Sequence, residues 1–214
     1  MNIYKELAFA QEYDLFYQTS RGQAVDKVEK ALILDILTQV HGREMLELGC
    51  GTGHWTAFFN ENGFRVIAVD ESAAMLEQAQ RKEISNVHWI KADASRLPFP
   101  DQRFDVIAAI TLFEFVDDID ILFKEISRVL KPEGILITGW LNALSEVGKQ
   151  KEHSSIFRHA TLYTPEEIKK RLSLLDTAQL YYGVYYDEEF GMLDNKIDRG
   201  DVQPAFIASI VKKK

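Results

Sequence analysis

The sequence is poor in cysteine and contains no long apolar run within its 214 residues. Cys50 is its only cysteine, which excludes an intrachain disulfide and a thiolate metal cage and is typical of a reducing compartment. No stretch approaches the roughly 18 uninterrupted apolar residues that a membrane-spanning helix needs. The first ten residues also lack the apolar core of a signal peptide. We therefore expect a soluble, cytoplasmic protein with no metal site and no membrane partner.

Positive charge is scarce as well. The formal net charge is -8, and the only basic run is residues 212–214. A nucleic-acid-binding protein normally clusters basic residues on one surface, because neutralisation of phosphates dominates its affinity. The charge balance therefore argues against nucleic acid as a partner and favours a small molecule. The hydrophobic content of 46% is typical of a globular protein with a full core.

The middle of the chain alternates short apolar strands with helices. Strands are predicted at residues 44–48, 64–69, 86–90, 104–110 and 135–140. Helices are predicted between them at residues 55–60, 72–82 and 119–130. Such an alternation is typical of βαβ units, which build a parallel sheet covered by helices on both faces. The fold class is therefore α/β.

The two ends of the chain differ from this middle part. An amphipathic helix is predicted at residues 23–40, because apolar side chains recur there at helical intervals. Residues 142–161 are polar and irregular, and Thr164-Pro165 then predicts the start of another helix. Two closing strands are predicted at residues 180–186 and 205–211.

A glycine-rich motif, Leu-Glu-Leu-Gly-Cys-Gly-Thr-Gly, occupies residues 46–53 between the first strand and its helix. Glycine permits a sharp turn there and lets a ligand approach the backbone. The N-terminus of the following helix suits an anionic group such as a carboxylate. Asp70 ends the second strand, where a carboxylate can accept hydrogen bonds from ribose hydroxyls. The spacing G-x-G-x-G differs from the G-x-G-x-x-G of nicotinamide-binding loops.

Three more segments follow in order. Lys91-Ala92-Asp93-Ala94 places a carboxylate after the third strand, residues 97–105 lead into the fourth, and residues 130–134 precede the fifth. Ligands of open parallel sheets bind outside the carboxyl ends of the strands. Glu47, Asp70, Asp93 and Thr111 are all expected at that edge.

Through these motifs, residues 43–140 resemble the class I S-adenosylmethionine-dependent methyltransferases, particularly the group that includes the ubiquinone/menaquinone-biosynthesis enzymes. The resemblance implies a Rossmann-like, doubly wound sheet of seven strands in the order 3-2-1-4-5-7-6, with the seventh antiparallel. It implies N-terminal helices before the sheet, an insertion after strand 5, and S-adenosylmethionine as the cofactor. The cofactor-binding residues that it implies are Tyr13, Tyr17, Glu47, Gly49, Cys50, Gly51, Asp70, Glu71, Met75, Asp93, Ala94, Thr111 and Leu112.

The same resemblance suggests particular roles for some of these residues. Asp70 would bind the ribose hydroxyls, and Asp93 would contact the adenine amino group. For other residues a structural role is an open alternative. Tyr13 and Tyr17 would either cover the cofactor or pack in the core, and Glu47 would bind either the ligand or the backbone of its own loop. Cys50 is expected to be a small spacer between glycines, not a nucleophile.

The domain prediction is a single methyltransferase domain over residues 1–214. It comprises an N-terminal helical cap (1–41), a cofactor-binding core (43–140), a lid-like insertion with its helix (141–175) and closing strands (176–214).

The predicted function is methyl transfer from S-adenosylmethionine to an unidentified small-molecule acceptor, in enzyme class EC 2.1.1. A general base is needed only if the acceptor must lose a proton, so the catalytic residues stay open. Candidate catalytic residues are Glu114, His153, His159 and Tyr17. Glu114 has the alternative role of a carboxylate at a helix start, and the two histidines that of surface residues. The alternatives for the whole chain are an NAD(P)-dependent oxidoreductase and a non-catalytic binding module that retains the cofactor pocket.

Overall fold

The computed structural model describes residues 7–154, 156–187, 189–193 and 201–214. The first six residues of the predicted cap and residues 194–200 of the predicted closing segment lie outside the described residues. The helices are α1 (Leu7–Glu12), α2 (Leu15–Gln18), α3 (Ser20–Leu37), α4 (His54–Glu61), α5 (Ala73–Gln80), α6 (Ile119–Val129), α7 (Glu146–Lys149) and α8 (Pro165–Leu172). The strands are β1 (Glu44–Leu48), β2 (Arg65–Asp70), β3 (Val87–Lys91), β4 (Phe104–Ile110), β5 (Leu130–Leu141), β6 (Gln179–Gly183), β7 (Tyr185–Tyr186), β8 (Met192–Leu193) and β9 (Phe206–Lys212).

One seven-stranded sheet has the order β3-β2-β1-β4-β5-β9-β6. The strands from β1 to β5 pair in parallel, and β9 pairs antiparallel with β5 and with β6. The predicted α/β class, strand order and antiparallel last strand are therefore confirmed. Parallel pairing brings the carboxyl ends of β1 to β4 to one edge of the sheet, where the order reverses between β1 and β4.

Alternate residues of the strands are buried on opposite faces of the sheet. Met45 of β1 and Val106 of β4 belong to the core beneath α3 and α4. Their neighbours Leu46 and Ile107 belong to the core beneath α6 and α8. Both faces are thus covered by helices, as expected for a parallel sheet whose strands are apolar throughout.

Helix α6 begins at a clear cap and ends one residue earlier than predicted. Asp118 Oδ1 accepts hydrogen bonds from the N–H groups of Asp120 and Ile121. The predicted end at Leu130 is wrong, because Leu130 pairs with Phe104 and starts β5. The register between β4 and β5 shifts after this pair. Residues 130–134, which were expected to precede the fifth strand, therefore lie within β5 and contain a bulge.

The predicted strand 180–186 is in fact interrupted. Val184 has a φ angle of +57°, which takes the chain out of the extended conformation after β6. The chain then continues as β7, which pairs with β8 in a separate two-stranded ribbon. In contrast, the helix start at Thr164-Pro165 is confirmed, because Thr164 and Glu167 form a reciprocal capping box.

No helix in the described part of the chain combines the length and apolarity needed to cross a membrane. In that same part, no group of three or more His, Cys, Asp or Glu side chains is placed to hold a metal ion.

We predict that Gly139→Ala destabilises the protein by about 1–3 kcal/mol, the usual cost of overpacking a core. A Cβ on Gly139 would lie 2.7 Å from Phe206 Cζ and 2.8 Å from Ile110 Cγ2. Urea denaturation gives the free energy of unfolding. In the double variant G139A/F206L the smaller side chain makes room, so we expect the double loss to be less than the sum of the two single losses. Additive losses would contradict this account of the packing.

Candidate active site

The glycine-rich loop joins β1 to α4 at the carboxyl edge of the sheet. Gly49, Gly51 and Gly53 have φ angles of +68°, +53° and +79°, a region that residues with a Cβ rarely adopt. The N–H of Cys50 donates to Val69 O at 3.0 Å, which ties the loop to the end of β2. A Cβ added to Gly51 would meet no atom within 4 Å. The loop is therefore a backbone cradle with open space beside it.

Asp70 ends β2 next to this loop. Its Oδ2 accepts the N–H of Gly51 at 2.8 Å, and its Oδ1 accepts the N–H of Ser72 at 2.8 Å. Burial raises the pKa of Asp70, and these backbone hydrogen bonds partly offset the rise. Ser72 in turn caps α5 by accepting the N–H of Met75. One carboxylate thus positions the loops that follow both β1 and β2.

Glu47 lies behind the loop, between β1 and α4. Its Oε2 accepts a hydrogen bond from Thr56 Oγ1 at 2.6 Å, and it does not line the cavity. Burial raises the pKa of Glu47 to about 8, although the Thr56 hydroxyl opposes the rise. The side chain therefore links strand to helix. Burial also raises the pKa of the Cys50 thiol, which suits the spacer role expected for this residue.

The turn after β4 forms the opposite wall. Thr111 has a φ angle of +50°, which is strained for a β-branched residue and is typical of functional sites. Its N–H donates to Gly139 O at 2.8 Å. The next side chain, Leu112, packs so closely on Gly49 that an added Cβ would lie 2.7 Å from Leu112 Cδ1. The strained turn therefore brings the segment after β4 against the glycine-rich loop.

Glu114 follows in the short 3-10 turn Phe113–Phe115 and is 1% exposed. Its Oε1 accepts the N–H of Leu141 at 2.7 Å, and its main-chain oxygen accepts the N–H of Thr161 at 2.8 Å. Burial raises the pKa of Glu114 to about 7, and the hydrogen bond from Leu141 limits the rise. The carboxyl group can therefore change its protonation state near neutral pH.

The N-terminal helices close one side of the cavity through Tyr13. The neighbouring Asp14 accepts a hydrogen bond from Thr52 Oγ1 at 2.6 Å and forms an ion pair of 2.6 Å with Lys82. These contacts attach the segment to the glycine-rich loop and to the end of α5. Burial raises the pKa of Tyr13 to about 12, so its phenol stays neutral.

Tyr17 lies outside the cavity wall. Its ring stacks on the ring of His54 with centroids 3.7 Å apart and planes 8° apart. His54 does line the cavity, and its Nε2 lies 2.6 Å from Asp26 Oδ1. Tyr17 therefore supports a cavity residue from behind.

The predicted cofactor residues, apart from Tyr17 and Glu47, come together around one cavity of about 790 Å³ at the carboxyl ends of β1 to β4. Of the candidate catalytic residues, Glu114 and His159 line it and His153 does not. The predicted residues on its wall are Tyr13, Gly49, Cys50, Gly51, Asp70, Glu71, Met75, Asp93, Ala94, Thr111 and Leu112.

Several residues that line the cavity were not predicted from the sequence. His54 and Trp55 begin α4 directly after the glycine-rich loop, so the reasoning applied to the helix N-terminus could have included them. Asp117 and Asp118 follow Glu114 on the same loop. By contrast, Ile156 and Thr161 come from the irregular insertion, where no pattern indicated which side chains would reach the cavity.

Comparison with known proteins agrees with this geometry. A family model described as a methyltransferase domain matches residues 46–138, from β1 through most of β5. Residues 46–138 belong to this methyltransferase-domain family. The match spans the glycine-rich loop, Asp70, Asp93 and the turn after β4. It confirms the family that these motifs resemble and implies S-adenosylmethionine as the cofactor of this methyltransferase domain.

Curated relatives match this domain at moderate identity. Malonyl-[acyl-carrier protein] O-methyltransferase of Yersinia pestis is 31% identical over 149 residues, which cover 68% of this chain and 53% of that protein. Ubiquinone/menaquinone biosynthesis C-methyltransferase of Vibrio campbellii is 35% identical over 136 residues, which cover 60% of this chain and 52% of that protein. The match thus spans about half the length of these relatives.

Solved structures share the fold over nearly the whole chain. A methyltransferase from Thermotoga maritima, described as a possible histamine N-methyltransferase, has a TM-score of 0.75 and 24% identity, covering 97% of this chain and 98% of that one. A methyltransferase from Archaeoglobus fulgidus has a TM-score of 0.72 and 21% identity, covering 94% and 99%. At such low identity these likenesses bear on the fold alone.

The cavity fits the implied cofactor. Its volume is within the usual range for small-molecule sites, and Gly51 leaves open space where a side chain would project. A partly buried carboxylate, Asp70, lies beside that space. As a hydrogen-bond acceptor it suits a nucleoside with hydroxyl groups.

We predict that Glu47→Gln changes how stability depends on pH. The folded pKa of about 8 lies above the ordinary 4.5, so the stability linked to the protonated carboxyl is lost as pH rises between these values. Glutamine removes that loss. Each pKa unit corresponds to about 1.4 kcal/mol, so the variant should gain a few kcal/mol over wild type between pH 5 and pH 9.

Urea denaturation at both pH values measures this gain. Glu61→Gln is the matched control, because Glu61 is exposed at the end of α4, the helix that carries Thr56. If the difference in unfolding free energy between E47Q and wild type did not change with pH, the pKa of Glu47 would not be raised by burial.

Proposed function

We propose that this chain transfers a methyl group from S-adenosylmethionine to a small-molecule acceptor by in-line displacement, in enzyme class EC 2.1.1. One observation carries the proposal. The open space beside the left-handed Gly51 lies next to the partly buried carboxylate of Asp70, at the edge where parallel sheets bind ligands. Backbone and carboxylate together match a ligand that has both an amino-acid part and a ribose.

Each loop would contact a different part of the cofactor. Gly49 and Gly51 would line the methionine portion, and Asp70 would accept the ribose hydroxyls. Asp93 would contact the adenine amino group, since it follows β3 at the far side of the cavity. The remaining proposed contacts are Tyr13, Cys50, Glu71, Met75, Ala94, Thr111 and Leu112.

The protein's own task is then positioning. S-adenosylmethionine supplies, when bound, a methyl group already activated on a sulfonium. The chain has to orient the acceptor in line with that methyl group and to exclude water. Tyr13 and the turn Phe113–Phe115 wall the cavity from two sides. Glu114 is our preferred base for an acceptor that must lose a proton, because its pKa of about 7 matches that task.

The alternatives make different binding predictions. A nicotinamide-dependent oxidoreductase would bind NADH, whereas a methyltransferase would bind S-adenosylhomocysteine, the demethylated product. A non-catalytic module would bind S-adenosylhomocysteine but would transfer no labelled methyl group to any acceptor in a metabolite pool. Titration calorimetry followed by a labelled-methyl screen separates the three.

We predict that Gly51→Ala weakens S-adenosylhomocysteine binding at least about tenfold, a loss of about 1.4 kcal/mol. Gly63→Ala is the matched control, because both glycines have positive φ, +53° and +86°. Both variants should lose similar stability from backbone strain. Only Gly51 lines the cavity, so only G51A should lose affinity.

Calorimetry with wild type, G51A and G63A gives the result directly. Tight binding of NADH with none of S-adenosylhomocysteine would overturn the proposed function. Equal affinities of the two variants for S-adenosylhomocysteine would remove Gly51 from the site.

A further inference from the structure

Glu114 lines the cavity, and one of its two carboxyl oxygens accepts no hydrogen bond from the described residues. Oε1 and the main-chain oxygen of Glu114 already accept hydrogen bonds from Leu141 and Thr161. Oε2 is closed off from solvent and has no hydrogen-bond partner among the described residues. A buried acceptor without a partner is uncommon in folded proteins and is costly when it is ionised. A ligand that donates a hydrogen bond would satisfy it.

Glu114 lies on the acceptor side of the proposed site. The turn that carries Glu114 begins at Leu112, whose side chain packs on Gly49 of the glycine-rich loop. Thr161, which binds the main-chain oxygen of Glu114, also lines the cavity, as do Ile156 and His159 of the insertion. Glu114 thus lies between the loop proposed for the methionine portion and the insertion.

The charged side chains that line the cavity indicate which class of ligand it favours. Within the described ranges, no lysine or arginine lines the cavity, whereas six carboxylates do: Asp70, Glu71, Asp93, Glu114, Asp117 and Asp118. Four of these carboxylates, Asp70, Asp93, Glu114 and Asp118, already accept backbone N–H groups. Such a wall attracts a cation and repels a carboxylate or a phosphate.

We propose that the methyl acceptor is an amine, and that the Glu114 carboxyl group turns Oε2 toward the cavity to bind its nitrogen. This inference rests on the proposed function and names its substrate class. Glu114 binds the ammonium form and takes one proton from it onto Oε2, which frees the nitrogen lone pair. That lone pair forms the new N–C bond while the electrons of the breaking C–S bond stay on sulfur. The products are a methylated ammonium, a thioether and a protonated Glu114, which returns its proton to solvent.

The test compares acceptor analogues that differ only in the polar group. Amine, alcohol and carboxylate forms of benzyl, phenylethyl, indolylethyl and butyl scaffolds are titrated by calorimetry into the full chain saturated with S-adenosylhomocysteine. We expect at least one amine to bind tenfold or more tightly than its matched alcohol, and the carboxylates not to bind. Equal binding of amines and alcohols, preference for carboxylates, or no amine binding on any scaffold would overturn the proposal.

Glu114→Gln tests the residue itself. The amide keeps the size of the side chain and replaces the free acceptor with a donor, so amine binding should weaken at least tenfold while S-adenosylhomocysteine binding stays within twofold. Glu77→Gln, which removes one negative charge from an exposed position of α5, should change neither affinity. Unchanged amine binding in E114Q would overturn the proposal.

A second measurement observes the carboxyl group of Glu114 in the wild-type protein. In wild-type protein with ¹³C-labelled glutamate, the Glu114 carboxyl resonance should move toward its ionised position when the tightest amine is added at pH 6.5. The resonance is assigned by its absence from E114Q or, if that variant does not fold, from E114D. No shift on amine saturation would contradict the contact. If S-adenosylhomocysteine itself fails to bind, the proposed function fails; if it binds and alcohols or carboxylates are methylated, only the amine proposal fails.

Discussion

The carboxylate of Asp70 is the contact on which the rest of the site depends. By accepting the N–H groups of Gly51 and Ser72, it joins the loop after β1 to the loop after β2. Hydrogen bonds from backbone donors to an ionised acceptor are among the stronger ones in proteins. The bond from Gly51 anchors this glycine, whose left-handed conformation leaves its backbone open to a ligand. The sheet determines where the site lies, since the parallel strands end together at the point where the strand order reverses between β1 and β4.

Two other carboxyl groups lie in surroundings that disfavour their ionised form. Glu47 and Glu114 are buried, and burial raises the pKa of each toward neutrality. Their environments nevertheless differ. Glu47 receives a hydrogen bond from Thr56 and sits behind the loop, whereas Glu114 lines the cavity with one oxygen unused. Burial of a carboxyl group alone therefore does not mark function, and the unused oxygen is what separates the two.

Local sequence patterns predicted much of the fold and the cofactor side of the cavity. The strands of the core are continuous apolar runs, and Gly49, Gly51 and Asp70 follow them at positions that the chain direction already brings together. The insertion was less predictable, because Ile156 and Thr161 reach the cavity through tertiary contacts such as the Thr161 N–H to Glu114. The break at Val184 was also missed, although Gly183 directly precedes it and a glycine inside a strand pattern is typical of a bulge or bend. The family resemblance placed Tyr17 and Glu47 among the cofactor-binding residues and left a structural role open for each. A sequence pattern does not reveal that Tyr17 stacks on His54 or that Glu47 accepts a hydrogen bond from Thr56.

The account of this site is tested most directly by a crystal structure of the protein bound to S-adenosylhomocysteine. We expect the ribose hydroxyls within hydrogen-bond distance of the Asp70 carboxylate, the amino-acid portion along Gly49 and Gly51, and the sulfur facing the side of the cavity that carries Glu114. A nucleoside bound away from Asp70, or a ligand in the reverse orientation with its sulfur toward Asp93, would contradict it.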